Sequence, residues 1–239
     1  MEKSLIIIPT FNERENIEQL VTQIMQLYND FQICIVDDES KDGTAQVIDE
    51  LSLKYEGKIH PIHRKGKKGF GSAAIEGINF GLKNGYDPIL TMDADLSHQP
   101  QYLKDFLEAS KNADMVIGSR YLNGISIVNW PLRRLFLSLF ANRYVKFITG
   151  IKLTDFTSGF RCYRSELLKK IALEDTISSG YSFLAEITVR SDHLNARIKE
   201  IPIIFIERRN GVSKINYSIC LEAAILPLKL KLKKILGTL

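Results

Sequence analysis

Two rhythms of hydrophobic and polar positions alternate along the first half of the chain. Short unbroken apolar runs, SLIII at 4–8 and ICIV at 33–36, are rich in β-branched residues. Such runs predict strands covered on both faces. Between them Ile17, Leu20, Ile24 and Leu27 recur at three- and four-residue steps, the spacing of one helix face. The pattern predicts a helix over 13–28, capped by Thr10 or Asn12, and another over 42–55. Further strands are expected at 59–62, 88–92 and 114–118, and helices at 69–84 and 101–111. This alternation, with short connections, predicts an α/β fold: a mostly parallel central sheet with helices on both faces. Ligands of such sheets bind beyond the carboxyl ends of the strands. Pro9-Thr10-Phe11-Asn12-Glu13, Asp37-Asp38-Glu39-Ser40 and Asp93-Ala94-Asp95 therefore share one candidate binding edge.

The second half is less regular. A helical pattern mixing apolar residues with Arg133, Arg134, Arg143 and Lys146 covers 128–149, and a loop containing Ser158-Gly159 covers 154–160. Two helical segments follow, then one long strand at 198–206, then a helical pattern from 216 with Pro227 as its expected break. One domain over 1–215 with an amphipathic extension over 216–239 is the expected organisation.

At 45% hydrophobic and 25% charged residues, the chain has the composition of a soluble globular domain. Cys34, Cys162 and Cys220 form no CxxC pair, which predicts free thiols in a reducing, cytoplasmic setting. The N-terminus enters a strand at once, so no signal peptide is expected. No uncharged apolar run reaches the roughly 18–20 residues that span a bilayer. The net charge of +4 is unevenly placed: residues 207–239 hold seven basic side chains against two acidic ones. Confinement to one end, beside leucines, argues against a nucleic-acid partner. Leu221, Ile225, Leu228, Leu232 and Ile235 share a helical face flanked by Lys229, Lys231, Lys233 and Lys234. That pattern predicts an interfacial helix on an anionic membrane surface, hence a peripheral protein on the cytosolic face, or else a helix packed on the core of the domain with its lysines solvated. The segment from Trp130 to Ile148 is a second membrane-facing candidate.

The sharpest chemical feature is Asp93 and Asp95, one residue apart at the end of an apolar strand. Two like charges there call for a cation between them, or the pair merely caps the next helix. Hard ions such as Mg²⁺ or Mn²⁺ suit carboxylate oxygens and usually arrive with substrate phosphates. Asp37-Asp38 beyond the second strand suits a ribose or a base edge, or merely closes a turn. The basic, glycine-rich stretch from Arg64 to Ala73 suits phosphate at a helix start, or is a solvated loop. Neither a GxGxxG after the first strand nor the Walker spacing is present, which disfavours a dinucleotide-dependent dehydrogenase and a P-loop enzyme.

Four motifs together carry a family resemblance: Ile8-Pro9-Thr10-Phe11-Asn12-Glu13-Arg14-Glu15-Asn16, Val36-Asp37-Asp38-Glu39-Ser40-Lys41-Asp42-Gly43-Thr44, Met92-Asp93-Ala94-Asp95-Leu96-Ser97-His98 and Gly118-Ser119-Arg120-Tyr121. They resemble the inverting glycosyltransferases of family 2, with a GT-A fold. Asn129-Trp130-Pro131, Thr157-Ser158-Gly159-Phe160-Arg161, Ser179-Gly180-Tyr181-Ser182-Phe183 and Arg208-Arg209-Asn210-Gly211-Val212-Ser213-Lys214 narrow the likeness to polyprenyl-phosphate (dolichyl-phosphate) mannose synthases of the short form without transmembrane helices. The resemblance implies donor-nucleotide contacts from Pro9, Phe11, Glu13, Val36, Asp38, Asp93, Ala94, Arg208 and Lys214. It implies Mg²⁺ or Mn²⁺ on Asp93 and Asp95. Ser97 is a third candidate ligand, standing where some members carry a glutamine. Catalytic roles fall to Asp95, Arg120 and Arg134, the arginines facing phosphate groups.

The implied reaction is transfer of mannose from GDP-mannose to a polyprenyl monophosphate with inversion. Its acceptor oxygen is already anionic, so no strong base is needed. The implied partners are the nucleotide sugar, the lipid phosphate and a membrane surface, with a membrane-anchoring subunit left open. A UDP-sugar such as UDP-glucose as donor is the nearest alternative. A non-catalytic, membrane-recruited nucleotide-sugar binding module is the more distant one.

Overall fold

The computed structural model describes residues 3–66, 69–176, 178, 180, 182–207 and 217–239, with 217–223 as backbone. The chain opens with β1 (Leu5–Thr10), α1 (Arg14–Leu27), β2 (Gln32–Asp37), α2 (Thr44–Lys54), β3 (Ile59–His63) and α3 (Phe70–Lys83). It continues through β4 (Ile89–Thr91), α4 (Leu103–Ser110), β5 (Met115–Ser119), β6 (Ile127–Val128) and α5 (Leu132–Thr149). It closes with β7 (Arg161–Tyr163), α6 (Ser165–Lys170), α7 (Ser182–His193), β8 (Ile198–Pro202), β9 (Phe205–Ile206) and α8 (Tyr217–Leu236). Seven strands form one sheet in the order β3-β2-β1-β4-β7-β5-β8, and β6 pairs with β9 in a small second ladder.

The apolar runs occupy the centre of this sheet, as expected of strands covered on both sides. Leu5 and Ile7 of β1, with Cys34 and Val36 of β2, face α3 and α5 to α8. Ile6, Ile8, Ile33 and Ile35 face α1, α2 and α4. Close packing of α3 on β1 depends on Gly77, where a Cβ would stand 2.4 Å from Ile7 Cγ2.

Four features differ from the expected elements. A seventh, antiparallel strand, β7, lies between β4 and β5; at three residues it is too short to show a period. The strand expected over 198–206 is two: β8 pairs with β5 up to Pro202 opposite Ser119, and the chain then crosses to β6. Ile203 N–H still donates to Ser119 O at 3.0 Å, the last bond of that ladder, before Phe205 N–H turns to Ser126 O at 2.9 Å. Helix α8 runs through Pro227 instead of breaking there. Burial of Leu226 and Leu230, at about 1.5–3 kcal/mol each, outweighs the roughly 3 kcal/mol that an internal proline costs. Finally, α1 has no side-chain cap from Thr10 or Asn12; both are engaged across the sheet edge instead.

Candidate active site

The loops after β1 and β2 leave side by side, since Thr10 is paired in register with Asp37 and Pro9 with Val36. They are laced together. Asn12 N–H donates to Ser40 Oγ at 2.8 Å, and Lys41 N–H to Asn12 Oδ1 at 2.9 Å. Glu13 N–H donates to Thr44 Oγ1 at 2.9 Å, and Asn16 Nδ2 to Glu13 Oε2 at 2.9 Å. The two aspartates of the second loop divide their work. Asp37 closes its own turn by accepting from Ser40 N–H and Oγ. Asp38 accepts from Arg64 Nη1 at 2.6 Å and from Gly69 N–H at 2.8 Å. Arg64 is buried, also donates to Ser72 Oγ, and its Nε lies 3.0 Å from Glu76. The basic stretch therefore begins by fixing Asp38; Lys67 and Lys68 lie outside the described residues.

Because β7 is antiparallel, its amino-terminal end meets the carboxyl ends of β4 and β5. That delivers the loop before it onto the acidic edge. Thr91 Oγ1 donates to Gly159 O at 2.8 Å, and a Cβ on Gly159 would stand 2.9 Å from Asp93 Oδ1. Only glycine leaves the Asp93 carboxylate where it is. Asp95 accepts from both the N–H and the Oγ of Ser97, a fully buried serine that sets the carboxylate's direction. Ala94 between them is buried.

His98 braces the same turn. Its Nδ1 accepts the Asp93 N–H at 3.1 Å, and its ring stacks on Phe160 with centroids 5.0 Å apart. Burial, reinforced by the Arg120 charge and only partly offset by Asp95 and Asp155, pushes the imidazole down to about 4. The ring is therefore neutral at neutral pH. Unfolded histidine takes its proton near 6.5 while the folded ring does so near 4, so the unfolded chain binds more protons in that window and acid favours it. Denaturant titrations of cation-free protein should show stability falling as the pH drops from about 6.5 toward 4. A flat wild-type profile, or His98→Asn with the same slope, would contradict the assignment.

The arginines come next. Arg120 is buried and gives Nε to Asp155 Oδ2 and Nη2 to Asp155 Oδ1, both at 2.7 Å, with Nη2 also reaching Thr157 Oγ1 at 2.7 Å. Burial alone would raise the Asp155 carboxyl, but the Arg120 guanidinium outweighs it and holds the group below the usual range. Burial likewise opposes the Arg120 charge, yet Asp155, Tyr121 and Asp93 raise its pKa above the ordinary value. Glu200 of β8 accepts from Thr154 N–H, Thr154 Oγ1 and Asp155 N–H and so fixes that loop. Arg134, in the first turn of α5, pairs with Glu207 through Nη1. Trp130 lies between the two, with Arg134 Cζ at 4.0 Å and Arg120 Cζ at 5.4 Å from its ring.

Pro9, Phe11, Glu13, Val36, Asp38, Asp93, Ala94, Asp95, Ser97, Arg120 and Arg134 all belong to this carboxyl edge or the elements bordering it. Arg208 and Lys214 lie outside the described residues. Sequence reasoning gave no site role to Asp155, Thr157, Gly159, His98 or Glu207, which hold the predicted residues in place. His98, Thr157 and Gly159 lie within the motifs that carry the resemblance, and Asp155-Phe156-Thr157 has an Asx-turn spacing beside the Ser-Gly loop. Among the described residues no group of three or more His, Cys, Asp or Glu could hold a metal ion. The chain offers two carboxylates, a donor set that fits Mg²⁺ or Mn²⁺ whose shell a diphosphate completes.

This sheet order with an acidic carboxyl edge and helices on both faces is the GT-A fold of nucleotide-sugar transferases. Glucosyl-3-phosphoglycerate synthase from Mycobacterium tuberculosis, solved with Mn²⁺, UDP and phosphoglyceric acid, superposes with TM-score 0.73 at 14% identity, over 96% of this chain and 78% of that one. A second structure of that enzyme, with Mg²⁺ and UDP, gives 0.71 at 15% identity over 96% and 79%. The profile of glycosyl transferase family 2 matches residues 5–172, and the chain belongs to that family. It is 43% identical to polyprenol monophosphomannose synthase of Mycolicibacterium smegmatis, over 93% of this chain and 84% of that protein. It is 41% identical to undecaprenyl-phosphate mannosyltransferase of Micrococcus luteus, over 92% and 90%. The chain is a glycosyltransferase.

Proposed function

We propose that this enzyme transfers mannose from GDP-mannose to a polyprenyl monophosphate, with inversion at the anomeric carbon and with Mg²⁺ or Mn²⁺. The observation that carries the reading is the pair of arginines flanking Trp130 beside Asp93 and Asp95, in a chain whose relatives are named for mannosyl transfer to polyprenyl phosphates. Asp93 and Asp95 would hold the cation, which supplies charge neutralisation for the departing nucleoside diphosphate. Pro9, Phe11, Glu13, Val36 and Asp38 frame the nucleotide. Arg120 and Arg134 orient phosphate oxygens without ever giving up their protons. An acceptor phosphate oxygen forms the new bond to the anomeric carbon from the face opposite the diphosphate as the old bond breaks. That nucleophile is already anionic, so the site needs no base; His98, neutral and buried, is engaged with Asp93. Arg208 and Lys214 are assigned to the donor diphosphate.

A lipid acceptor requires contact with a bilayer. Among the described residues no helix is long and apolar enough to cross one. Helix α5 instead exposes Leu132, Phe136, Phe140 and Phe147, the last at 84%. Helix α8 exposes Ile225, Leu228, Leu232 and Ile235 while seating Leu226 and Leu230 in the core; the side chain of Leu221 lies outside the description. The two helices pack together, with Tyr144 Oη donating to Ala224 O at 2.7 Å. Exposed aromatic and leucine side chains among lysines and arginines make an interfacial platform for anionic lipid, and the enzyme is peripheral on the cytosolic face.

The acceptor tests this reading. Supplied with GDP-mannose and Mn²⁺, the enzyme should mannosylate a polyprenyl monophosphate and leave polyprenol and 3-phosphoglycerate untouched. Transfer to 3-phosphoglycerate alone would refute it. Gly159→Ala should raise the Mn²⁺ concentration for half-maximal turnover and lower activity by roughly ten- to a hundredfold through displacement of Asp93, with the unfolding midpoint nearly unchanged. An active Gly159→Ala enzyme with unaltered Mn²⁺ dependence would show that Asp93 is not held there for the cation.

A further inference from the structure

Trp130 is the chain's one tryptophan, and the two arginines beside it are not used alike. Arg120 commits the Nε and Nη2 edge of its guanidinium to Asp155. Arg134 gives Nη1 to Glu207, whereas its Nε is shielded from water and has no hydrogen-bond partner among the described residues. The indole Nε1 of Trp130 is in the same condition, and the Arg134 guanidinium lies 4.0 Å from that ring. Buried N–H donors are almost always paired, so two orphans on touching side chains mark a missing acceptor. Both groups only donate, and beside two guanidiniums the missing partner is an anionic oxygen. The Nε edge of arginine is one that takes carboxylate or phosphate with two parallel bonds. Arg134 also sits in the first turn of the eighteen-residue helix α5, an end that favours negative charge.

We propose that Trp130 Nε1–H and the Nε edge of Arg134 together bind the terminal monophosphate of the acceptor, with Glu207 as a positioning residue that holds the guanidinium through Nη1. The assignment rests on the polyprenyl-phosphate reading and adds Trp130 and Glu207 to it. It also orders the site: Arg120, its edge filled by Asp155, serves the reaction centre by charge, and Arg134 serves the acceptor by bidentate contact.

A lone tryptophan makes the test direct. Donor-free wild-type enzyme is titrated with farnesyl phosphate, inorganic phosphate or farnesol while tryptophan emission is followed. Farnesyl phosphate should give a saturable change, inorganic phosphate a weaker one that competes with it, and farnesol none; Arg134→Ala should abolish the response. In turnover, Trp130→Phe keeps the ring but has no N–H, and should raise acceptor KM about tenfold with donor KM unchanged. Glu207→Ala should raise acceptor KM, and Glu207→Gln, which keeps an acceptor oxygen, should recover most of the loss. Emission indifferent to phosphate, equal responses to farnesol and farnesyl phosphate, or a wild-type acceptor KM in Trp130→Phe would overturn the cradle. A lowered acceptor KM in Glu207→Ala would make Glu207 a competitor and overturn its positioning role. Saturable binding of farnesyl phosphate without sugar transfer to any polyprenyl phosphate would support the cradle and sink the functional reading alone.

Discussion

Asp93→Asn should lower turnover by about a thousandfold or more while the protein unfolds within a few degrees of wild type. The substitution keeps the shape of the side chain beside Gly159 and the backbone N–H that His98 accepts. It removes one of the two charges that would hold the cation. Charge neutralisation by a bound metal contributes several kcal/mol at the transition state, and each 1.36 kcal/mol is a factor of ten. The check is kcat at saturating donor and acceptor across a Mn²⁺ series, with the unfolding midpoint measured on the same preparation. Retention of more than about a tenth of the activity would remove Asp93 from the cation site.

The second large effect lies deeper. Asp155→Ala should destabilise the protein by about 3–5 kcal/mol and abolish turnover. Asp155 is fully buried, and Arg120 nearly so, so removal of the carboxylate strands a guanidinium away from water. A loss of that size is a large part of the roughly 5–15 kcal/mol that holds a domain together. The double variant Arg120→Met with Asp155→Leu separates fold from chemistry. Apolar side chains of similar size replace buried pairs at little cost or even a gain, so its stability should return while its turnover does not. Glu200 keeps the backbone of the loop in place in both variants, since it accepts from the N–H groups of Thr154 and Asp155. Wild-type stability in Asp155→Ala, or turnover by the double variant, would contradict the roles given to this pair.

What the sequence made legible follows from distance along the chain. Strands β1 and β2 declare themselves because four successive apolar residues in each are buried on both faces, and the acid after β4 stands out because it interrupts such a run. Asp93 and Asp95 need only their own neighbours to be noticed. Asp38 and Arg64 are 26 residues apart and Arg120 and Asp155 are 35 apart, so neither pairing can be read from one partner alone. The short strand β7, with a fully buried arginine at its start, gives no period. Without its antiparallel direction the Ser158-Gly159 loop has no reason to meet Asp93. Helix α8 carries four lysines among its apolar positions, and its pattern suited either a core face or a membrane face. In the structure Leu226 and Leu230 are buried, whereas Ile225, Leu228 and Leu232 are exposed.

The most direct measurement is incorporation of radiolabelled mannose from GDP-mannose into an organic-extractable polyprenyl phosphate product, with and without EDTA, beside parallel reactions with UDP-glucose. Incorporation from GDP-mannose that EDTA abolishes and Mn²⁺ restores is the expected result. Transfer from the UDP-sugar alone, or incorporation indifferent to EDTA, would contradict the assignment of Asp93 and Asp95 to a cation shared with the donor of a mannosyl transfer.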